Sequence, residues 1–189
     1  MSLGINFKMK DKFSHPSSYK CISGKEYCLR HLHIKEFTYH DESENKNYQC
    51  KIYYSDHVYT KGVKLEQLRS SFDKHKLVNI EETKSFTEYR FFSNTRYNLS
   101  LGLEMLLDRC YNNEIRMYQE SGNKYVAFPY IKSAEPKKNY GIYLSFKKSQ
   151  STNTIIIHTA YIETDEAKIK KRLKNRRIKF LTILRKLRN

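Results

Sequence analysis

The chain has 189 residues, 39% of them hydrophobic and 14% aromatic, with 16 Tyr, 10 Phe and no Trp. That is enough apolar side chain to bury one core and too much for a disordered chain, while the length falls short of a typical two-domain cofactor enzyme. Against 20 acidic residues stand 36 Lys and Arg, a formal charge of +16, so a polyanion is the first partner to consider, nucleic acid ahead of an anionic membrane surface.

At the N-terminus, Met1 to Phe13 alternates Lys with apolar residues and lacks the continuous apolar stretch of a secretory signal. The longest apolar runs, such as Ile155-Ile156-Ile157, stop far short of the roughly 20 residues that span a bilayer. A cytoplasmic protein without a transmembrane segment is the expectation. Residues 1–26, with Gly4, Pro16 and Gly24, read as an irregular arm leading into an α+β core domain over 27–163.

From Tyr27 to Tyr39 apolar and polar residues alternate, Asp41 to Asn47 form a polar turn, and Tyr48 to Tyr59 resumes the alternation, which predicts a β-hairpin. Gly62 then breaks the second strand, and Leu65, Leu68 and Phe72 predict a short helix over 64–76. Val78 to Ile80 and Phe86 to Phe92 read as strands. Asn94 or Thr95 is placed to cap a helix running through Tyr97, Leu101, Met105 and Leu106 to Cys110, its apolar face widened by Leu99, Leu103 and Leu107. Ile115 to Tyr118, Tyr125 to Ile131, Tyr140 to Phe146 and Thr154 to Ile162 follow as aromatic and β-branched segments separated by turns, an antiparallel meander. With two packed helices and no regular βαβ alternation, the class is α+β.

The last segment, 164–189, differs in kind. Asp165 to Asn189 carries eleven Lys or Arg and two acidic residues, and Ile169, Leu173, Phe180, Leu184 and Leu187 fall on one face of a helix. It reads as one basic amphipathic C-terminal helix whose Lys170, Lys171, Arg172, Lys174, Arg176 and Arg177 track a phosphate backbone. On this reading its removal weakens binding and leaves the core folded. The alternative is a helix that completes the core.

There is no G-x-G-x-x-G, Walker loop, H-E-x-x-H or G-x-S-x-G, so no cofactor is expected. Carboxylates such as Glu120, Glu135 and Glu163 stand isolated among basic and aromatic neighbours, and no metal is expected either. Cys21, Cys28, Cys50 and Cys110 form no C-x-x-C pair and read as reduced thiols; a zinc set of Cys21, Cys28, His31 and His33 has no standard spacing.

What remains needs only His, Arg, Lys, Tyr and Thr. Metal-independent RNA cleavage is the leading example, because the substrate's 2′-hydroxyl is the nucleophile and the protein adds a base, an acid and cations around the phosphorane. His57, in Ser55-Asp56-His57-Val58-Tyr59-Thr60, and His158, in His158-Thr159-Ala160-Tyr161, sit at predicted strand ends beside hydroxyls. Arg90 and Arg96 flank a strand-to-helix turn and are suited to one anion. Tyr125, Tyr130, Tyr140 and Tyr143 offer stacking surfaces for unpaired bases. Each of these has a purely structural reading as well: a packed histidine, an arginine neutralising a buried carboxylate, core tyrosines.

The set Leu29-Arg30-His31-Leu32-His33, Ser55-Asp56-His57-Val58-Tyr59-Thr60, Arg90-Phe91, Arg96-Tyr97-Asn98-Leu99 and Thr159-Ala160-Tyr161 resembles a family of uncharacterised bacterial proteins associated with plasmids and prophages, over about 27–163. That resemblance implies no activity; it marks His57, Thr60, Arg90, Arg96, Tyr97 and Tyr161 as candidate positions. Thr159-Ala160-Tyr161 also resembles the last strand of small toxin ribonucleases such as barnase, EndoU, the colicins and RelE. Together these readings give an RNA-directed protein, a metal-independent ribonuclease of toxin or phage-defence type with a possible cognate antitoxin. His57, Arg90, Arg96 and Tyr161 are its catalytic group and Thr60, Tyr97, His158 and the tail cations its substrate contacts. A non-catalytic RNA- or DNA-binding module is the alternative.

Overall fold

A computed structural model of the chain describes residues 15–20, 25–64, 77–82, 87–128, 130–131, 138–149 and 151–188. The helix expected over 64–76, past Lys64 at the end of a strand, lies outside the described residues, as do Cys21 and the Tyr130 side chain. The class is α+β, built on one curled sheet.

In chain order the strands are β1 (Ser18–Lys20), β2 (Glu26–Cys28), β3 (Lys35–Asp41), β4 (Lys46–Tyr54), β5 (Thr60–Lys64), β6 (Leu77–Glu82) and β7 (Thr87–Phe92). Helices α1 (Asn94–Ser100) and α2 (Leu103–Tyr111) follow, then β8 (Met117–Ser121), β9 (Lys124–Ala127), β10 (Tyr130–Ile131), β11 (Lys138–Ser149) and β12 (Thr152–Glu163). The chain closes with α3 (Glu166–Leu173), β13 (Arg177–Ile178) and α4 (Phe180–Arg188). The large sheet runs β13-β8-β9-β11-β12-β4-β3, with β10 added on β11; β5-β7-β6 form a second sheet and β1-β2 a small third. The meander β8-β9-β11-β12 is antiparallel as expected. The sheet is mixed because β4 lies parallel to β12.

Several expectations at the edges of elements change. The strand foreseen from Tyr27 to Tyr39 is interrupted by a 3₁₀ turn, Arg30–Leu32. Leu29 and Leu32, three apart, are both buried there, a spacing that suits a turn of helix and not a strand. β4 ends at Tyr54 in a second 3₁₀ turn, Asp56–Val58. Gly62 does not break a strand; it sits inside β5 opposite Arg90. The central helix is two helices, capped by the Ser93 Oγ and not by Asn94 or Thr95. It breaks at Leu101-Gly102, where glycine is a poor helix former. Its buried face is Leu103, Leu106, Leu107, Cys110 and Tyr111, and Leu101 and Met105 are exposed.

The core fills one face of the large sheet. Ile52, Tyr54, Ile142, Leu144, Phe146, Ile155 and Ile157 point into it and α2 and α4 cover it. The C-terminal segment is therefore two helices with a strand between, and it is built into the body of the protein. Phe180, Ile183 and Leu184 are buried, and β13 extends the sheet on β8. A long apolar stripe on a cationic segment had both readings open, and burial selects the one that completes the core. Among the described residues no helix is long and apolar enough to cross a membrane.

The other face of the sheet carries the chemistry. A smaller cluster of Tyr118, Val126 and Tyr143, with Phe128 and Tyr161 against it, lies there. A β-bulge shapes it: Tyr143 pairs with Thr159 and Leu144 with Ile157, so His158 is the extra residue. Ile157 and Ala160 both face the core, and the bulge leaves His158, Thr159 and Tyr161 to the opposite side.

Candidate functional site

The turn after β4 is the first part of the site. Ser55 Oγ accepts from the His57 N–H at 3.3 Å and starts the turn. The Asp56 carbonyl accepts from Thr60 Oγ1 at 2.8 Å. Two arginines from different elements then bind this turn. Arg96, on α1, donates from Nη1 to the carbonyls of His57 at 2.9 Å and Thr60 at 2.7 Å. Arg90, on β7, donates from Nε to Thr60 Oγ1 at 3.1 Å and from Nη2 to the Thr60 carbonyl at 3.2 Å. Thr159 Oγ1 reaches the His57 carbonyl from β12 at 3.4 Å. The turn thus has fixed geometry, with the His57 side chain 29% exposed and its Nε2 3.8 Å from Asp56 Oδ1.

Arg96 connects that turn to the open face of the sheet, since its guanidinium carbon lies 5.3 Å from the Tyr161 ring centroid. Tyr161 stacks on Tyr143 with centroids 5.2 Å apart and planes 11° apart. Arg172, from α3, lies 4.8 Å from the Tyr143 centroid. Arg96, Tyr161, Tyr143 and Arg172 are therefore successive neighbours along one run of ring contacts.

Beneath them sits a buried carboxylate. Glu163 Oε2 accepts from Tyr143 at 3.1 Å, Tyr161 at 3.2 Å and Arg172 Nη1 at 3.0 Å, and Lys168 lies 3.2 Å away. Burial would raise its pKa, but the hydrogen bonds of Lys168, the Asp165 N–H and Tyr143 outweigh it and hold the carboxyl below its ordinary value. Tyr143 is pushed up by burial and by the Tyr161 hydroxyl, so it stays a donor. Arg172 also pairs through Nε with Glu120 at 2.5 Å. Beyond Tyr143, His158 Nε2 is hydrogen-bonded to Ser145 Oγ at 2.7 Å.

The sequence candidates fall into three groups. His57, Thr60, Arg90, Arg96 and Tyr161 come together through the contacts above. Within that group Arg90 is 3% exposed and holds Thr60, so its place is behind the turn and not at an open anion site. Tyr97 does not join them. It packs edge-on against Tyr27, with centroids 5.0 Å apart, and beside Phe92 and His31. Of the tail cations, Lys170, Lys171, Lys174, Arg176 and Arg177 are exposed, whereas Arg172 is committed to Glu163, Glu120 and Tyr143. Arg172 and Lys168 tie α3 to Glu163, and Lys170 and Lys174, two residues from Arg172 on either side, project from the other side of the helix.

Sequence reading missed Glu163 as the centre of the network, treating it as an isolated carboxylate; its partners are nine residues on and on a neighbouring strand. The signal available was Thr164-Asp165-Glu166, which starts a helix and brings Lys168 and Arg172 back over Glu163. His31 bonds Ser100 Oγ at 2.7 Å and burial lowers its pKa, so it joins the first turn to α1. Burial pushes the Cys50 and Cys110 thiols up to about 12, which makes them inert buried side chains. Among the described residues no three His, Cys, Asp or Glu side chains gather as a metal site.

A sheet whose open face carries an arginine-bound histidine turn beside a stacked tyrosine pair defines an α+β protein with one polar, cationic site. The profile of the YjaZ family matches residues 15–188, and the chain belongs to that family. No curated protein and no solved structure matches the chain.

Proposed function

We propose that this chain is an RNA-directed protein and that it cuts RNA without a metal, at the site formed by His57, Arg96, Tyr161 and His158. The observation that carries the reading is the position of Arg96. One guanidinium donates to the backbone carbonyls of His57 and Thr60 and lies against the Tyr161 ring, which ties the turn that carries His57 to a cation and a phenol. In the proposed reaction His57 takes the proton of the 2′-hydroxyl as that oxygen bonds to phosphorus. The bond from phosphorus to the 5′-oxygen breaks, and His158, next to the Thr159 that reaches the His57 carbonyl, returns a proton to the leaving oxygen. Arg96 stabilises the charge on the phosphorane, and Arg90 and Thr60 position the turn. The products are a 2′,3′-cyclic phosphate and a 5′-hydroxyl.

The formal charge of +16 and the exposed cations of the C-terminal segment support a polyanionic substrate. The resemblance to plasmid- and prophage-associated proteins and to small toxin ribonucleases supports a toxin or phage-defence role, with a cognate antitoxin as regulator. The same exposed cations also favour a second reading, a non-catalytic binder. Incubating the purified protein with total RNA in EDTA separates the two. Fragments with cyclic phosphate ends, reduced about 10²-fold or more in His57→Ala and Arg96→Lys, are the expected result. Intact RNA with a mobility shift would establish the binder.

A further inference from the structure

A cavity of about 210 Å³ opens beside the site, lined by Glu120, Lys124, Tyr125, Tyr143, Leu144 and His158. It is smaller than the roughly 300–1,000 Å³ of pockets for drug-sized ligands, a size suited to one flat ring system. The register places Lys124 opposite Ser145 and Tyr125 opposite Leu144, and Ser145 is hydrogen-bonded to His158. The cavity is therefore continuous with the imidazole that donates to the leaving oxygen.

We propose that this cavity is a subsite for one unstacked guanine base of a single-stranded RNA. The inference deepens the RNA-directed reading and takes its ligand class from it. Its chemistry comes from the two charged groups at the rim. Glu120 is a carboxylate with two acceptor oxygens, its orientation set by Arg172 Nε, and Lys124 is a donor. The Watson–Crick edge of guanine presents two adjacent donors, N1–H and the N2 amino group, next to the O6 acceptor. Glu120 meets the donor pair and Lys124 meets O6. Adenine and cytosine each offer one amino donor beside an acceptor, and uracil offers one N–H between two acceptors, so none of them matches both groups. Tyr143 and His158, on the face opposite the core, supply the ring walls that replace base stacking, while Tyr125 and Leu144 form the floor.

The test titrates the ¹⁵N-labelled full chain with the 3′-monophosphates of guanosine, adenosine, cytidine and uridine, which contain no phosphodiester to cut. Guanosine monophosphate should bind about tenfold tighter than the other three, within the range one bidentate base contact discriminates, and should shift the amides of Lys124, Tyr125 and Ser145. Glu120→Gln should bring the four affinities within about twofold of one another. Should that variant unfold through loss of the Arg172 pair, Lys124→Ala serves instead, because Lys124 is exposed and its loss removes the O6 contact. Equal binding of all four nucleotides, or shifts confined to other strands, overturns the subsite. Guanosine binding here with RNA left intact in EDTA keeps the subsite and removes the nuclease. Cleavage with no base preference in the titration keeps the nuclease and removes the subsite.

Discussion

The ring of Phe180 on α4 lies with its centroid 4.5 Å from that of Tyr111 on α2 and 5.7 Å from that of Phe146 on β11. One residue of the cationic C-terminal segment therefore joins the second helix to the sheet. Phe180 is fully buried, so Phe180→Ala should cost about 3–5 kcal/mol, the range for truncating a buried phenylalanine. A chain ending before α3 should fail to give a soluble folded protein. Urea unfolding of the point variant and the solubility of the truncation are the measurements. A truncation with unchanged circular dichroism and a cooperative transition would return the segment to the status of an appendage.

Thr60 is the acceptor that both arginines share. Thr60→Val keeps the shape of the side chain and removes the hydroxyl, which takes from Arg90 Nε the acceptor Thr60 Oγ1 and from the Asp56 carbonyl one of its two donors, the Tyr59 N–H remaining. Thr60 is fully buried, and a buried polar group that loses its partner costs about 1–3 kcal/mol. Stability should fall by that amount, and under the proposed function RNA cleavage should fall with it while RNA binding is kept, because the turn that carries His57 loosens. Thr60→Ser should restore both. Equal stability in the valine and wild-type proteins would show that the arginine contacts to the backbone carbonyls hold the turn without the hydroxyl.

The parts of this fold that were readable from the residues are those governed by local periodicity. Alternation marks β11 and β12 because Ile142, Leu144 and Phe146, and Ile155 and Ile157, all face one core. The bulge at His158 was not readable, since one extra residue in a β-branched run leaves composition unchanged. For the site, residue type pointed to His57, Arg96 and Tyr161, but orientation did not follow from type. Tyr97 neighbours Arg96 in sequence, yet it turns toward Tyr27 because successive residues on a helix point about 100° apart. Glu163 illustrates the opposite case: its acidity was visible and its partners were not, because they are assembled by tertiary folding.

Lys170 and Lys171 on α3 and Lys174 just after it are exposed, while Arg172 holds the helix in place beside Tyr143. If these lysines contact phosphates, replacing all three by alanine should lower the slope of log binding constant against log salt concentration by about 2. Each phosphate contact to a single strand contributes about 0.7. Under the proposed function, cleavage at low salt should change little, since none of the three belongs to the network around Tyr161. Binding of a fluorescent single-stranded RNA at four salt concentrations gives the slope. An unchanged slope would move the polyanion surface away from α3.

The last prediction concerns acid. Asp41, at the end of β3, is bound by Arg185 of α4 through Nε and Nη2 at 2.7–2.9 Å and by the Ser43 N–H and Oγ at 3.1 and 2.8 Å. Burial alone would raise its pKa; the Arg185 and Ser43 hydrogen bonds outweigh burial and hold the carboxyl below its ordinary 3.8. Glu163 is held below its ordinary 4.5 in the same way. A carboxyl whose folded pKa is depressed binds fewer protons in the folded than in the unfolded state. Its stabilisation is thus fully present above the unfolded pKa and is lost as pH falls through the folded one. Stability should therefore decline from about pH 5 downward as these two groups protonate. Asp41→Asn removes the Asp41 share at every pH, so wild type should exceed the variant most near pH 7 and the gap should narrow as the solution is acidified. Urea midpoints measured for both proteins at neutral and acidic pH test this, and a gap that stays constant would mean that the Asp41 contact with Arg185 contributes through packing and not through charge.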